Sequence, residues 1–326
     1  WSSVQGWMGS MLVDKGVNRI AAEELSVPPG GDELFSLLQL KAHYESGDWD
    51  VIVVDCAPTG ETLRLLSFPD AARWWLDKVF PQQGRILDAA RPFARAVLDV
   101  SLPGTEVFDD VQRLVRNLIA MNEILRDKEH VSVRLVMTPD RMVVDEARRT
   151  FTYLNLYGYL TDAVVVNRVF GAEVGEYFGP WRARQQEQLG AVRDAFAPVP
   201  VLQAPYFDEE VVGGTMLDRL GDALFAPAGT GSGTDAHALL HHSISERLEL
   251  GRDGATLRLD LPFAQRGDLS LKRLGAELIV RVDGHKRTML LPPALDDLEP
   301  TGAAFEDGVL LVTFEPVPPR GGSDGA

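Results

Sequence analysis

Cysteine is almost missing from this sequence: Cys56 is the only one in 326 residues. One thiol cannot close an intrachain disulfide, a CxxC zinc clasp or a three-thiol soft-metal site within a subunit, and so little cysteine fits a reducing cytoplasm. Basic charge is also short. The 32 Lys and Arg against 48 Asp and Glu leave a formal charge of −16, which repels a phosphate backbone and offers no basic stripe to nucleic acid or anionic lipid. Long apolar runs are lacking, so no segment has the roughly 18 residues needed to span a bilayer, and the first residues carry no signal-like pattern. A starting Met is lacking too. A chain that begins at Trp1 is expected to be processed or a fragment with an incomplete N-terminus.

What is present is an ordinary globular composition, 45% apolar, long enough for about two domains. Four continuous apolar runs read as strands: VIVVDC (51–56), VSVRLVMT (131–138), AVVVNRVF (163–170) and VPVLQAP (199–205). Apolar on both faces and separated by helical patterns, they predict an α/β fold with a doubly wound, mostly parallel sheet. Between the first two runs lies more helical pattern than one crossover needs, so residues of about 70–128 are expected to form an inserted helical subdomain. Its Trp74, Trp75, Phe80, Phe93 and Met121 either line a groove for a partner helix or are core, and core is the simpler reading.

The composition changes at APAGTGSGTDAH (226–237), read as a flexible linker. Beyond it, short alternating strands with Asp-Gly pairs at 253, 283 and 307 predict a small antiparallel β-sandwich, followed by a disordered PRGGSDGA tail. The expected organisation is therefore 1–226, a linker 227–243, a β-sandwich 244–316 and a tail 317–326. His237, His241 and His242 stand near the linker without a carboxylate or thiol at fixed spacing, and read as a chance surface group.

The stretch DVIVVDCAPTGETLRLLSFPD (50–70) carries the chemistry. Asp55 closes an apolar strand and a Pro58-Thr59-Gly60 turn follows, at the strand end where doubly wound sheets bind ligands. A carboxylate there can hold Mg²⁺ directly or through water, and Gly60 lets a backbone N–H approach a phosphate; alone, the same pattern also serves as a helix cap. The longer string DCAPTGETLRLLSFP, with TPDRMVVDEARRTFTYLNLYGY (138–159) and VVVNRV (164–169) downstream, resembles the ArsA family of deviant P-loop ATPases, which includes the arsenite-pump and tail-anchored-protein-targeting ATPases.

That resemblance implies ATP and Mg²⁺ as cofactors, with Asp55 as the catalytic switch aspartate near Mg²⁺ and Pro58, Thr59 and Gly60 as the loop sensing the γ-phosphate. Asn167 matches the adenine-reading asparagine, its amide offering donor and acceptor together; the plainer alternative is a strand-end Asn capping a loop. Pro205 and Tyr206 fall where the family packs around the base. The resemblance also implies a homodimer that couples ATP binding and hydrolysis to movement of a client: an ion, a protein or a membrane-protein segment.

The departures narrow this. No GKGGVGKT-type phosphate loop or DPAH segment occurs in the 326 residues, and VPPGGDE (27–33) lacks a lysine and reads as a loop. Without that loop's charges the chain as written is expected not to hydrolyse ATP at a useful rate. A single cysteine argues against arsenite as client and against a zinc clasp, and Glu61 stands where many relatives have His.

Residues 257–316, with DLP, LIV…G, LP and GVL…F in order, resemble the α-crystallin fold of small heat-shock proteins. In that fold exposed sheet edges bind partner strands, or the domain is a stabilising appendage. The competing functional class is accordingly a non-catalytic, chaperone-like polypeptide binder.

Overall fold

The computed structural model describes residues 31–56, 105–226, 233, 235–242, 245–251 and 254–316. Two compact units divide the chain, residues 1–125 and 126–326.

In the first unit, α1 (Gly31–Ser46) packs against α2 (Thr105–Leu125). α1 starts at Gly31, so the end of the VPPGGDE stretch is helical rather than loop. On α2, Val115, Leu118, Met121 and Asn122 are buried at the three- and four-residue spacing of one helix face. Residues 51–56 depart from expectation. They form no strand and are exposed, Val53 to 88%. A strand exists only beside a neighbour that takes its backbone N–H and C=O groups, and no strand is paired with 51–56 among the described residues. Pro58, Thr59, Gly60, Trp74, Trp75, Phe80 and Phe93 lie outside the described residues.

The second unit contains the parallel sheet. Strands β1 (Val133–Met137), β2 (Thr161–Val169) and β3 (Val201–Pro205) lie in the order β1-β2-β3, all parallel. β2 is central, and its residues 161–166 are all buried, which accounts for the continuous apolar run from Ala163 to Val166. Helices α3 (Arg141–Tyr157), α4 (Gly179–Phe196) and α5 (Gly214–Phe225) connect and cover the strands.

α3 ends at Gly158, whose φ of 82° is left-handed; the N–H groups of Gly158 and Tyr159 reach back to the Asn155 and Leu154 carbonyls. Every residue from Thr150 to Tyr157 is buried, although Thr150, Thr152 and Asn155 are polar. The cause is a second covering layer on the side of the helix away from β1 and β2.

That layer is an antiparallel β-sandwich. One sheet has the order β4-β5-β10-β9, from β4 (Glu246–Leu250), β5 (Ala255–Asp260), β9 (Leu298–Glu306) and β10 (Val309–Pro316); the other is β6-β7-β8, from β6 (Leu269–Leu274), β7 (Glu277–Val282) and β8 (His285–Leu290). Alternate residues Leu257, Leu259, Leu278, Val280, Leu310, Val312 and Phe314 point into its core. Asp283-Gly284 and Asp307-Gly308 turn their hairpins with positive φ at both residues.

The sandwich docks on α3 through named contacts. Arg287 Nη1 donates to the Leu156 carbonyl and Nη2 to Glu246 Oε2, both at 2.7 Å. The Tyr153 hydroxyl donates to Asp283 Oδ2, Thr152 Oγ1 bonds the Pro262 carbonyl, and Phe263 meets Phe151 and Phe196. Phe263 holds a left-handed φ of 70° in doing so.

Residues 235–240 are clasped to the parallel sheet. Arg134 donates to the Ala236 and Ala238 carbonyls at 2.6 and 2.8 Å and pairs with Asp162 at 3.2 Å. Asp162 is wholly buried and also accepts the Leu240 N–H. No described helix is long and apolar enough to cross a membrane.

Candidate functional site

The carboxyl ends of the three parallel strands bring together Thr138-Pro139-Asp140 after β1, Asn167 to Phe170 at the end of β2, and Pro205-Tyr206 at the end of β3. This is the edge at which open α/β sheets take ligands. Thr138 Oγ1 donates to Asp140 Oδ2 at 2.7 Å, ordering the turn into α3.

The β2 end is irregular. Val166 pairs with Gln203 and Val169 with Pro205, so three steps along β2 face two along β3. The extra residue is a β-bulge at Asn167-Arg168, a device that re-aims side chains beside functional sites. Arg168 takes a left-handed φ of 57°, unusual for a residue with a Cβ. Its N–H donates to Asn167 Oδ1 at 2.8 Å. That contact orients the Asn167 amide and leaves its Nδ2 amine and a second Oδ1 lone pair for a ligand.

Pairing resumes beyond the bulge, where Tyr206 N–H donates to the Val169 carbonyl at 2.8 Å. Phe170 lies there with ring centroids 5.5 Å from both Tyr206 and Phe178. Tyr206 is 52% exposed and stands one residue beyond β3, the strand paired with the one that carries Asn167. Gln185 of α4 supports the bulge: its Oε1 accepts the Phe170 N–H at 2.8 Å and its Nε2 donates to the Arg168 carbonyl at 3.3 Å. Beyond β3, Arg219 pairs with Asp208 at 2.9 Å and stacks over Phe207. Hydrogen bonding from Arg219 holds the Asp208 carboxyl below the usual carboxylate range.

An amide offering a donor and an acceptor side by side suits the amino-and-ring-nitrogen edge of adenine, and an open aromatic face suits its plane. The residues present therefore fit a purine base. The metal side differs. Asp55 lies in the first unit, on the exposed 51–56 segment, and no group of three His, Cys, Asp or Glu side chains among the described residues could hold a metal ion.

The family described as "Anion-transporting ATPase" matches residues 1–226. The chain belongs to that family. A second match, described as "HSP20-like domain found in ArsA", covers residues 252–314, the sandwich. Over 322 residues the chain is 33% identical to "Putative arsenical pump-driving ATPase" of Chlorobaculum tepidum, covering 97% of this chain and 77% of that protein. It is 31% identical to "Putative arsenical pump-driving ATPase 1" of Aquifex aeolicus, covering 96% and 78%. With "ATPase get3" of Aspergillus terreus it shares 27% identity over 221 residues, 65% of this chain and 64% of that one. The two matched families and the parallel and antiparallel sheets agree with the α/β reading and with the ArsA-type resemblance.

Sequence reasoning named Asn167, Pro205 and Tyr206, which the strand ends bring together. It missed Arg168, Phe170, Phe178 and Gln185. The aromatic pair flanking the FGAEVGEYFG stretch was the one available signal.

Proposed function

We propose that this member of the ATPase family binds ATP with the base at the β2 and β3 ends, Asn167 reading the adenine edge and Pro205 and Tyr206 covering its face. The observation that carries this is the β2 bulge at Asn167-Arg168, where the Arg168 N–H holds the Asn167 amide at the same sheet edge as the half-exposed Tyr206. In the same reading Asp55 serves Mg²⁺ and Pro58 to Gly60 sense the γ-phosphate. Hydrolysis needs a lysine-bearing phosphate loop, which the 326 residues do not contain; without one, this stretch binds but does not turn over.

We place the activity in a cytoplasmic homodimer in which residues 1–226 form the ATPase portion, 227–243 link, and 244–316 form the sandwich. Where such a phosphate loop is supplied, ATP binding and hydrolysis move a client. A protein or membrane-protein segment suits the single cysteine better than arsenite, and the net charge of −16 argues against nucleic acid.

Titration calorimetry with ATP and GTP tests the reading. ATP is expected to bind more tightly than GTP, and Asn167→Ala to remove most of the preference. Equal binding of both nucleotides by the unaltered protein would refute it.

A second reading, polypeptide binding without turnover, draws support from outer strands β4 and β6, where Leu250 and Leu274 are half or more exposed. Suppression of aggregation of an unfolded client, unaffected by nucleotide, is its expected signature.

A further inference from the structure

Arg168 poses a physical problem. A residue with a Cβ in the left-handed region is strained, and such a residue persists only where its surroundings over-determine it. Glycine, which takes the left-handed region without steric cost, is not used. The surroundings here are three hydrogen bonds: Arg168 N–H to Asn167 Oδ1, Gln185 Nε2 to the Arg168 carbonyl, and Phe170 N–H to Gln185 Oε1.

Gln185 is the element that joins them. It is half-buried on α4, whose Leu189 and Val192 are fully buried, so it stands on a fixed support. Its amide gives the looped-out chain one donor and one acceptor, as a neighbouring strand would. The β3 strand cannot do this, because its own pairing skips from Val166 to Val169.

We infer that Gln185 is a positioning residue for nucleotide selectivity: by bracing the Asn167-Arg168 bulge it aims the Asn167 amide and the Phe170-Tyr206 ring pair at a purine base. The inference rests on the base-site reading above and adds a residue that touches no ligand. Releasing the brace lets Arg168 relax to negative φ, which rotates the peptide after Asn167 and withdraws the N–H that fixes its amide.

The experiment measures ATP and GTP dissociation constants and Tm for the whole protein and for Gln185→Ala, Asn167→Ala and the double variant Gln185→Ala/Arg168→Gly. Gln185→Ala is expected to weaken ATP about tenfold, the size of one hydrogen bond, with GTP changed by less than about twofold on the same scale. Adding Arg168→Gly is expected to restore the preference, because glycine holds the left-handed conformation without a brace.

An ATP-to-GTP ratio unchanged in Gln185→Ala, whatever its Tm, overturns the inference. So does a fall that Arg168→Gly fails to restore, since general loosening of the loop would produce it. If Gln185→Ala does not fold, Gln185→Glu is read by the same ratio; it keeps the acceptor for Phe170 but sets a carboxylate against the Arg168 carbonyl. Asn167→Ala separates the two claims. An unchanged ratio there overturns the base-site reading itself, whereas a changed ratio there with none in Gln185→Ala overturns this inference alone.

Discussion

The imidazole of His285 stacks on the ring of Tyr153 with centroids 3.9 Å apart, joining the sandwich to α3. Tyr157, one turn on, meets His285 Nδ1 through its hydroxyl at 3.3 Å, and the Tyr153 hydroxyl donates to Asp283. Two tyrosines of the ATPase portion thus meet the β7-β8 hairpin. Through α3, that hairpin is connected to Asp140 and the strand ends where the candidate site lies.

This contact is expected to weaken in mild acid. Burial holds His285 below the usual histidine range, with Asp283 opposing it. The depressed value means the unfolded chain binds a proton first as pH falls, so stability is full above about 6.5 and declines below it. Thermal melts from pH 7.5 to 5 should show a steeper loss for the unaltered protein than for His285→Gln. Parallel curves would show that His285 does not report the docked state. At the alkaline end burial and the Asp283 hydrogen bond push the Tyr153 hydroxyl up to about 12, so its contribution declines as pH rises from about 10 towards that value.

Arg287 is the most costly residue to remove from the same junction. Its side chain is 7% exposed and holds both the Leu156 carbonyl and Glu246. Arg287→Ala leaves a buried carbonyl and a partly buried carboxylate without that partner, a loss of about 2–4 kcal/mol. Denaturant unfolding should give that figure. Arg287→Met, which keeps the stem, should recover the packing share only. A loss below about 1 kcal/mol, the value of an ordinary surface pair, would mean that the sandwich is held mainly by Phe263.

The three parallel strands were legible as short apolar-rich runs between helical patterns, although only β2 is buried on both faces, and the Asp283-Gly284 and Asp307-Gly308 turns because only such residues adopt positive φ cheaply. Residues 51–56 carry the same apolar signal but no strand, since pairing depends on a neighbour that the run itself does not encode. The bulge was hidden for a related reason. A count of three residues against two exists only once β2 and β3 are in register, and Gln185 lies in the polar first half of α4, whose buried Leu189, Val192 and Phe196 all come later. Burial all round the end of α3 could not be read locally either: its polar Thr150, Thr152 and Asn155 are covered in part by a sandwich about a hundred residues later in the chain.

The Arg134-Asp162 clasp yields an asymmetric prediction. Asp162 is wholly buried, whereas Arg134 keeps 27% of its side chain exposed. Arg134→Ala strands a buried carboxylate and should cost about 3 kcal/mol, while Asp162→Asn keeps the shape and some hydrogen bonds and should cost about half that. Arg134→Ala should also release residues 235–242, read as faster proteolysis there. Equal costs, or protection unchanged in Arg134→Ala, would show that this segment is held by other contacts.

Tyr206 and Asn167 should fail in different ways if they serve one base. Stacking is indifferent to base identity, because every base has a π-face, so Tyr206→Ala should weaken ATP and GTP alike by about 1–3 kcal/mol. The Asn167 amide reads an edge, so Asn167→Ala should weaken ATP alone, by about 1–2 kcal/mol. The double variant tests whether ring and amide meet the same ligand. Because both act on one base across a shared bulge, their effects should be less than additive for ATP and additive for GTP. Tyr206→Phe separates ring from hydroxyl, and is expected to match the unaltered protein for both nucleotides. If it falls as far as Tyr206→Ala, the hydroxyl and not the stacked face makes the contact, and the ring pair with Phe170 is a packing feature of the strand end.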